Sequence, residues 1–205
     1  MVTIDFWCEL ASPYAYLSAC RIEKLAAGAG VTVRWRPFSL HPTFKASGWD
    51  NSPFVVYPNK GRYMWRDVER EAARLGIAFR KPSAFPRSSV PVSKVALLGL
   101  EQGWGARFIA QAMRANFAHD QDIAAPEVID SILREMEIEG PAARAEATSA
   151  ERSPALRRST EEAMRLGIFG APTFLVGEEM FWGNDRLERA LEWATGEGLR
   201  SAGGA

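Results

Sequence analysis

The sequence has little cysteine, little histidine and no excess of charge. Its 205 residues include two cysteines and two histidines, and 25 Lys+Arg balance 25 Asp+Glu to a formal net charge of zero. Two cysteines, Cys8 and Cys20, cannot form a disulfide framework, and their spacing is not that of a metal site. The neutral balance also argues against nucleic acid or an acidic membrane as the main partner, because those contacts need clustered cations. We therefore expect no metal, no nucleic-acid partner and no membrane partner.

Long apolar runs are missing as well. No stretch of about 18 apolar residues is present to span a membrane, and the start of the chain, Met1–Asp5, has no basic segment of the signal-peptide kind. The rest of the composition is ordinary for a globular protein, with 47% hydrophobic and 24% charged residues. The length suits one large domain or one domain with an insertion. We expect a cytoplasmic protein.

Strand patterns occur near both ends of the chain and are absent from its middle. Val2–Cys8 is rich in β-forming residues, and Val31–Trp35 alternates apolar with polar side chains, as in a strand with one wetter face. Between them, Ser12-Pro13 predicts the start of a helix, with Ser as the N-cap and Pro at the first helical position. This helix extends to about Ala27. The segment is a β-α-β unit with parallel strands.

After the second strand the periodicity becomes helical. Residues 43–57 mix turn formers with aromatics and predict an ordered loop. The helices predicted after it cover Lys60–Leu75, Pro91–Gln102, Trp104–His119, Pro126–Ile138, Pro141–Ala150 and Pro154–Gly167. Strands return at Thr173–Val176 and Met180–Trp182, around the hairpin turn Gly177-Glu178. Asn184-Asp185 then caps a last helix.

This order of elements predicts an α/β protein, a thioredoxin-like fold with an inserted all-helical domain. We place the discontinuous thioredoxin-like domain at residues 1–40 and 154–200, and the inserted helical domain at residues 41–153. Residues 201–205 are small or glycine, and we expect them to form a loose tail.

The start of the first helix is the first segment where a thioredoxin-like fold does its chemistry. Redox members of this fold place Cys-x-x-Cys there, because a helix N-terminus stabilises a thiolate. In this sequence the two cysteine positions of Ser12-Pro-Tyr-Ala15 are Ser12 and Ala15. Disulfide exchange needs an attacking thiol and a resolving thiol, so the sequence disfavours a disulfide oxidoreductase.

The second such segment is Gly170-Ala171-Pro172-Thr173, directly before the hairpin. In this fold Pro172 is expected to be cis, which leaves the N–H and C=O groups of Ala171 free to pair with an extended peptide. A site that binds a cysteinyl peptide but has no cysteine of its own indicates that a bound ligand supplies the reacting thiol. Glutathione is the obvious source of that thiol.

These motifs, together with Gly167–Val176 and Phe181–Leu187, resemble those of the 2-hydroxychromene-2-carboxylate isomerases. That family is related to the DsbA-like oxidoreductases and the kappa-class glutathione transferases, and the resemblance runs from about Ile4 to Trp193. It implies a glutathione-dependent cis/trans isomerase that acts on 2-hydroxychromene-2-carboxylate or a similar aromatic-derived carboxylate. The implied mechanism is reversible addition of the glutathione thiolate, and the implied assembly is a homodimer.

The resemblance also implies roles for individual residues. As the catalytic residue, Ser12 would hydrogen-bond the glutathione sulfur, while the backbone of Ala171, fixed by Pro172, would pair with the cysteinyl unit. Further glutathione contacts would come from Asn51, from Lys60 at the glycyl carboxylate, and from Asn184 and Asp185 at the γ-glutamyl end. The substrate would meet Arg87, Ser88 and His41.

Two other functions stay open at this point. A kappa-like glutathione transferase would use the same thiolate site to conjugate an electrophile, and glutathione consumption would separate it from an isomerase. A glutathione- or peptide-binding module without turnover is the alternative from a different class. Five aromatic residues either line a ligand pocket or belong to the core: Trp49, Phe54, Tyr57, Phe85 and Trp104.

Overall fold

The computed structural model describes residues 2–196, and within them four strands form one mixed sheet. The strands are β1 (Thr3–Cys8), β2 (Thr32–Pro37), β3 (Thr173–Val176) and β4 (Glu179–Trp182), in the spatial order β2-β1-β3-β4. β1 pairs parallel with β2 and antiparallel with β3, and β3 forms an antiparallel hairpin with β4. The predicted β-α-β unit and C-terminal hairpin are present, which confirms the predicted fold class.

Helices make up most of the remaining chain, and they fall in the order that the sequence predicts. Their bounds are α1 Pro13–Ala19, α2 Ile22–Gly28, α3 His41–Ala46, α4 Pro53–Val56, α5 Pro58–Leu75, α6 Val90–Glu101, α7 Gly105–Phe117, α8 Pro126–Glu135, α9 Gly140–Ala147, α10 Ala155–Arg165 and α11 Leu187–Thr195. None of the helices described is long and apolar enough to cross a membrane. The predicted loose tail lies outside the described residues, and the division into a domain and an insertion stays a prediction.

The predicted first helix, Pro13 to Ala27, is wrong as a single element, because the chain breaks at Cys20-Arg21 into α1 and α2. Arg21 leaves the helical conformation, with φ −124°. Its side chain reaches the far end of the chain, pairing with Glu188 and donating to Asn184 Oδ1 at 3.2 Å. The break therefore follows from partners that are distant in sequence.

The loop predicted at residues 43–57 is also wrong in part, since it contains most of α3 and all of α4. Both helices are short and have proline in the first turn, a position where the missing N–H costs nothing. Ser52 caps α4 by accepting a hydrogen bond from Phe54 N at 3.3 Å. This segment forms part of the cleft described below.

The central strand β1 is held from both sides, and it leads directly into the site. Phe6 packs edge-on against Trp35 of β2, with ring centroids 4.8 Å apart, and stacks on Phe174 of β3 at 5.4 Å. All three rings are buried, in the same core cluster as Met64 of α5 and Phe108 of α7. The end of β1 is thus fixed by packing from the sheet and from the middle helices.

Candidate active site

One deep cleft, with a volume of about 1670 Å³, opens where β1 ends and α1 begins. Its wall includes all ten predicted site residues: Ser12, His41, Asn51, Lys60, Arg87, Ser88, Ala171, Pro172, Asn184 and Asp185. Of the five aromatic residues that the sequence left open between a ligand pocket and the core, three line this cleft: Trp49, Phe54 and Phe85. The fold therefore brings together, from five separate segments, residues that lie up to 173 positions apart in the sequence.

The two predicted motifs meet at the centre of this cleft. Ser12 Oγ donates a hydrogen bond to the backbone oxygen of Ala171 at 3.0 Å and accepts one from Ala15 N at 3.3 Å. Ser12 is therefore the N-cap of α1, as predicted, and at the same time touches the segment before β3. The Ala171–Pro172 peptide bond is cis, which confirms that expectation.

The expectation that both backbone groups of Ala171 are free is wrong for the carbonyl, because Ser12 occupies it. The N–H of Ala171 has no protein acceptor among residues 2–196. A hydrogen-bond donor without an acceptor beside a hydroxyl group is suited to a ligand that offers a backbone-like carbonyl.

Trp182 closes the outer side of the Ala171-Pro172 segment. A side chain at Gly170 would place its Cβ 2.3 Å from Trp182 Nε1, so only glycine allows this approach. Trp182 also packs edge-on against Phe169, with ring centroids 4.8 Å apart, and both rings are about half exposed. The cleft thus has an aromatic rim beside its central hydroxyl.

Asn184 and Asp185 form the next part of the wall, but not as the predicted cap of the last helix. They lie in a 3₁₀ turn, Asn184–Arg186, that precedes α11, and neither side chain caps it. Asn184 is buried, and its Oδ1 accepts a hydrogen bond from Ser18 Oγ at 3.0 Å. The predicted cap is wrong because this long-range partner takes the amide oxygen. Asp185 is exposed beside the cleft, with 69% of its side chain accessible.

Lys60 and Asn51 lie on the segment around α4 and α5. The Lys60 ammonium is 5.7 Å from the centre of the Tyr57 ring, in cation–π contact. Asn51 is exposed and its Oδ1 accepts a hydrogen bond from Ser52 N at 2.7 Å, which leaves its amide N–H groups as the donors for a ligand.

Arg87 lies in the cleft wall, but its guanidinium is directed to other protein groups. Its side chain is 7% exposed and pairs with Asp120 Oδ1 at 2.6 Å. Further bonds run to Asn116 Oδ1 at 2.8 Å and to the backbone oxygen of Gln121 at 2.9 Å. Hydrogen bonds from the backbone amide of Ser83 and from the Arg87 guanidinium lower the pKa of Asp120 to about 2. These bonds indicate that Arg87 holds the Asp120 segment in place, and its substrate contact stays a prediction. His41 and Ser88 are exposed in the cleft.

Replacing Arg87 by lysine is expected to lower the midpoint of thermal unfolding by roughly 5 °C, because an ammonium cannot bridge these acceptors. The Michaelis constant for a carboxylate substrate should stay within a factor of about two, since the lost bonds are internal. Thermal unfolding and steady-state kinetics on the same preparation check this. A raised Michaelis constant with an unchanged midpoint of thermal unfolding would indicate that Arg87 contacts the substrate, as predicted.

Glu9 is a cleft residue for which the sequence analysis predicted no role. It follows β1 directly, is 8% exposed, and accepts hydrogen bonds from Ser89 Oγ and from Ala11 N, the latter at 3.0 Å. Burial away from water raises the pKa of its carboxyl to about 7, against the hydrogen bonds from Ser89 and Ala11. The available signal was an acidic residue at the end of an apolar strand, three positions before Ser12.

The two cysteines do not replace the missing redox pair. Cys8 lies on β1 and is fully buried, and burial raises the pKa of its thiol far above the usual range. Burial also raises the pKa of Cys20, which follows α1. Neither thiol lines the cleft, and both are free. Among the described residues no group of three or more His, Cys, Asp or Glu side chains is placed to hold a metal ion.

Comparisons with known proteins agree with this geometry. The chain is 27% identical to a 2-hydroxychromene-2-carboxylate isomerase from Sphingobium xenophagum, over 91% of this chain and 94% of that protein. It is 27% identical to Glutathione S-transferase kappa 1 from Caenorhabditis elegans, over 90% and 87%. A solved structure of a 2-hydroxychromene-2-carboxylate isomerase superimposes with a TM-score of 0.86 at 24% identity, covering 98% of this chain and 97% of that one.

The resemblance stated from the motifs is thereby confirmed. The family model described as the DSBA-like thioredoxin domain matches residues 3–192, and the chain belongs to this family.

Proposed function

We propose that the protein is a glutathione-dependent isomerase that acts on 2-hydroxychromene-2-carboxylate or a similar aromatic-derived carboxylate. The observation that carries the proposal is the contact between Ser12 and Ala171. A hydroxyl, where redox relatives have a thiol, lies 3.0 Å from the backbone oxygen that precedes cis-Pro172. Such a site suits the cysteinyl part of a peptide and has no reactive sulfur of its own. The relatives named 2-hydroxychromene-2-carboxylate isomerase and Glutathione S-transferase kappa 1 support a reaction in which a bound ligand, glutathione, supplies the thiol.

Glutathione fits the groups that line the cleft. The unpartnered N–H of Ala171 would donate to a carbonyl of the cysteinyl unit. The Lys60 ammonium has no carboxylate within 4 Å among residues 2–196, so it is available for the glycyl carboxylate. The exposed carboxylate of Asp185 would receive the ammonium of the γ-glutamyl end, and Asn51 and Asn184, which line the same cleft, would contact the tripeptide.

When bound, glutathione would supply a thiolate that adds reversibly to a conjugated double bond, so that the bond can rotate before the thiolate leaves. Ser12 would donate its hydroxyl hydrogen to the sulfur, which stabilises the charged form and lowers the pKa of the thiol. An unperturbed thiol has a pKa of about 8.5, so this lowering is needed near neutral pH. His41 and Ser88, exposed in the same cleft, would meet the substrate.

The proposal is tested by titrating the protein with glutathione near neutral pH and following the absorbance of the thiolate. We expect a signal that saturates with glutathione and is absent with S-methylglutathione, which has no ionisable thiol. Absence of glutathione binding would refute the proposal. Binding without ionisation would favour a binding module without turnover.

Replacing Lys60 by glutamine is expected to weaken glutathione binding about tenfold, since one charge-assisted contact to a carboxylate is lost. The pH at which the bound thiol ionises should change little, because Lys60 is assigned to the glycyl carboxylate and Ser12 to the sulfur of the central cysteinyl residue. Thiolate titrations at several pH values measure both quantities. Arg62→Gln, one position beyond Gly61 on the same helix and hydrogen-bonded to Asn59, is the matched control for loss of a charge.

A conjugating transferase is the second candidate, favoured by the kappa-class relative. It would use the same residues, and the two functions differ in stoichiometry. An isomerase leaves the glutathione concentration unchanged over many turnovers, whereas a transferase consumes one molecule per product. We also propose that the protein is a cytoplasmic homodimer. Sedimentation of the purified chain tests the dimer, and fractionation of the source cells tests the location.

A further inference from the structure

The cations of the cleft divide into those that have a carboxylate partner and those that do not. Four have one: Arg74 pairs with Glu71, Arg87 with Asp120, Arg157 with Glu161 and Arg186 with Asp185. Lys60 and Lys94 have no carboxylate within 4 Å among residues 2–196. Because Lys60 is assigned to glutathione, Lys94 remains as a cation without an assigned anion.

Lys94 is held in the cleft wall by a neutral partner. It is half-buried, and its Nζ donates to Ser153 Oγ at 2.9 Å; both residues line the cleft. It is the only cation on α6, whose other buried positions include Val92, Val95 and Leu98. Since no carboxylate neutralises this half-buried ammonium, its charge is available to an anionic ligand in the cleft.

The position of Lys94 is tied to that of the central hydroxyl. Ser89, the residue before α6, donates to the Glu9 carboxyl, and the backbone oxygen of Glu9 accepts from Ser12 N at 3.0 Å. Lys94 follows Ser89 by five residues, which is about 7.5 Å along a helix axis. Lys94 and Ser12 line the same cleft.

We propose that Lys94, positioned by Ser153, binds the carboxylate of the second substrate. Leu156, a buried residue of the cleft wall, makes part of that wall apolar, which suits an attached ring. This subsite rests on the proposed function, because it assigns a residue that recognises the carboxylate of the proposed substrate. It selects substrates with a carboxylate on a flat apolar ring system over the corresponding esters.

The test uses chromone-2-carboxylate, a stable bicyclic acid, and its methyl ester, with binding measured by calorimetry in the absence of glutathione. We expect the parent protein to bind the acid at least about tenfold more tightly than the ester. Lys94→Gln should remove this preference by weakening the acid alone, and Lys94→Arg should restore most of it. Arg157→Gln, which removes an exposed cation from the same cleft, should keep acid affinity within a factor of about two.

Equal binding of acid and ester by the parent protein would overturn the subsite without any variant. An acid preference that survives Lys94→Gln would overturn the assignment to Lys94, provided that the variant unfolds at the parental temperature. Ser153→Ala, which releases the ammonium from its partner, gives a second variant if Lys94→Gln is unstable, and it should reduce the preference. The thiolate titration does not involve Lys94, so its failure refutes the proposed function separately.

Discussion

Replacing Ser12 by alanine is expected to lower turnover about 100-fold, which is the usual effect of removing one hydrogen-bond donor to a charge that forms in the reaction. Ser12 Oγ lies at the junction of α1 and the Ala171 segment, where the sulfur of a cysteinyl peptide would be placed. Without the hydroxyl the pKa of the bound thiol rises, and less thiolate is present near neutral pH. Glutathione affinity should change by no more than about threefold, since Lys60 and the Ala171 backbone are retained.

Ser52→Ala is the matched control for this variant. Ser52 caps α4 through a bond from Phe54 N of 3.3 Å, the same length as the cap bond from Ala15 N to Ser12. Loss of either cap costs about 1 kcal/mol of stability, but only Ser12 should affect the thiolate signal. Turnover of Ser12→Ala within about twofold of the parent would remove Ser12 from the mechanism.

Replacing Glu9 by glutamine is expected to abolish a pH dependence of stability worth about 3 kcal/mol. In the folded chain burial raises the pKa of Glu9 from 4.5 to about 7. Between these values the folded state keeps a proton that the unfolded state has released, so the free energy of unfolding falls as the pH rises through this window. Above pH 7 the folded chain carries the full cost of a buried charge.

Glutamine should fit the same place without that cost. Its amide oxygen can accept from Ala11 N, and its amide N–H can donate to the Ser89 hydroxyl, so both partners of Glu9 stay satisfied. Denaturant unfolding of both proteins from pH 5 to 8 gives the difference. Glu178→Gln, in the exposed hairpin turn, should parallel the parent at every pH. Parallel curves for Glu9→Gln and the parent would show that Glu9 titrates normally.

The parts of the fold that follow from short-range chemistry were predictable from the sequence. Gly76 ends α5 in the left-handed conformation at φ 66°, and Gly177 turns the β3–β4 hairpin at φ 62°. Ser12-Pro13 starts α1 as its residue types favour. Each of these features depends on a residue and its immediate neighbours. For that reason the predicted order of helices and strands agrees with the structure.

The features that were missed depend on partners far away in the sequence. The break at Arg21 follows from Glu188 and Asn184, and the ion pair of Arg87 joins it to Asp120, 33 positions along the chain. No periodicity encodes such pairs, because they form only after the fold has brought the segments together. In the site, the meeting of Ser12 with Ala171 was predictable by resemblance, whereas the burial of Glu9 was not.

The hydrogen bond from Ser12 to Ala171 has a consequence for which thiols the cleft can select. One hydroxyl hydrogen serves a single acceptor well, so a sulfur that receives it displaces the Ala171 carbonyl. That carbonyl then needs a new donor, and the amide N–H of a cysteinyl residue supplies one. A thiol without a neighbouring amide would break one bond for each bond it made, with little net gain. If the proposed function holds, discrimination between glutathione and simple alkyl thiols would arise from this exchange of hydrogen-bond partners at Ser12, in addition to the charges at the rim of the cleft.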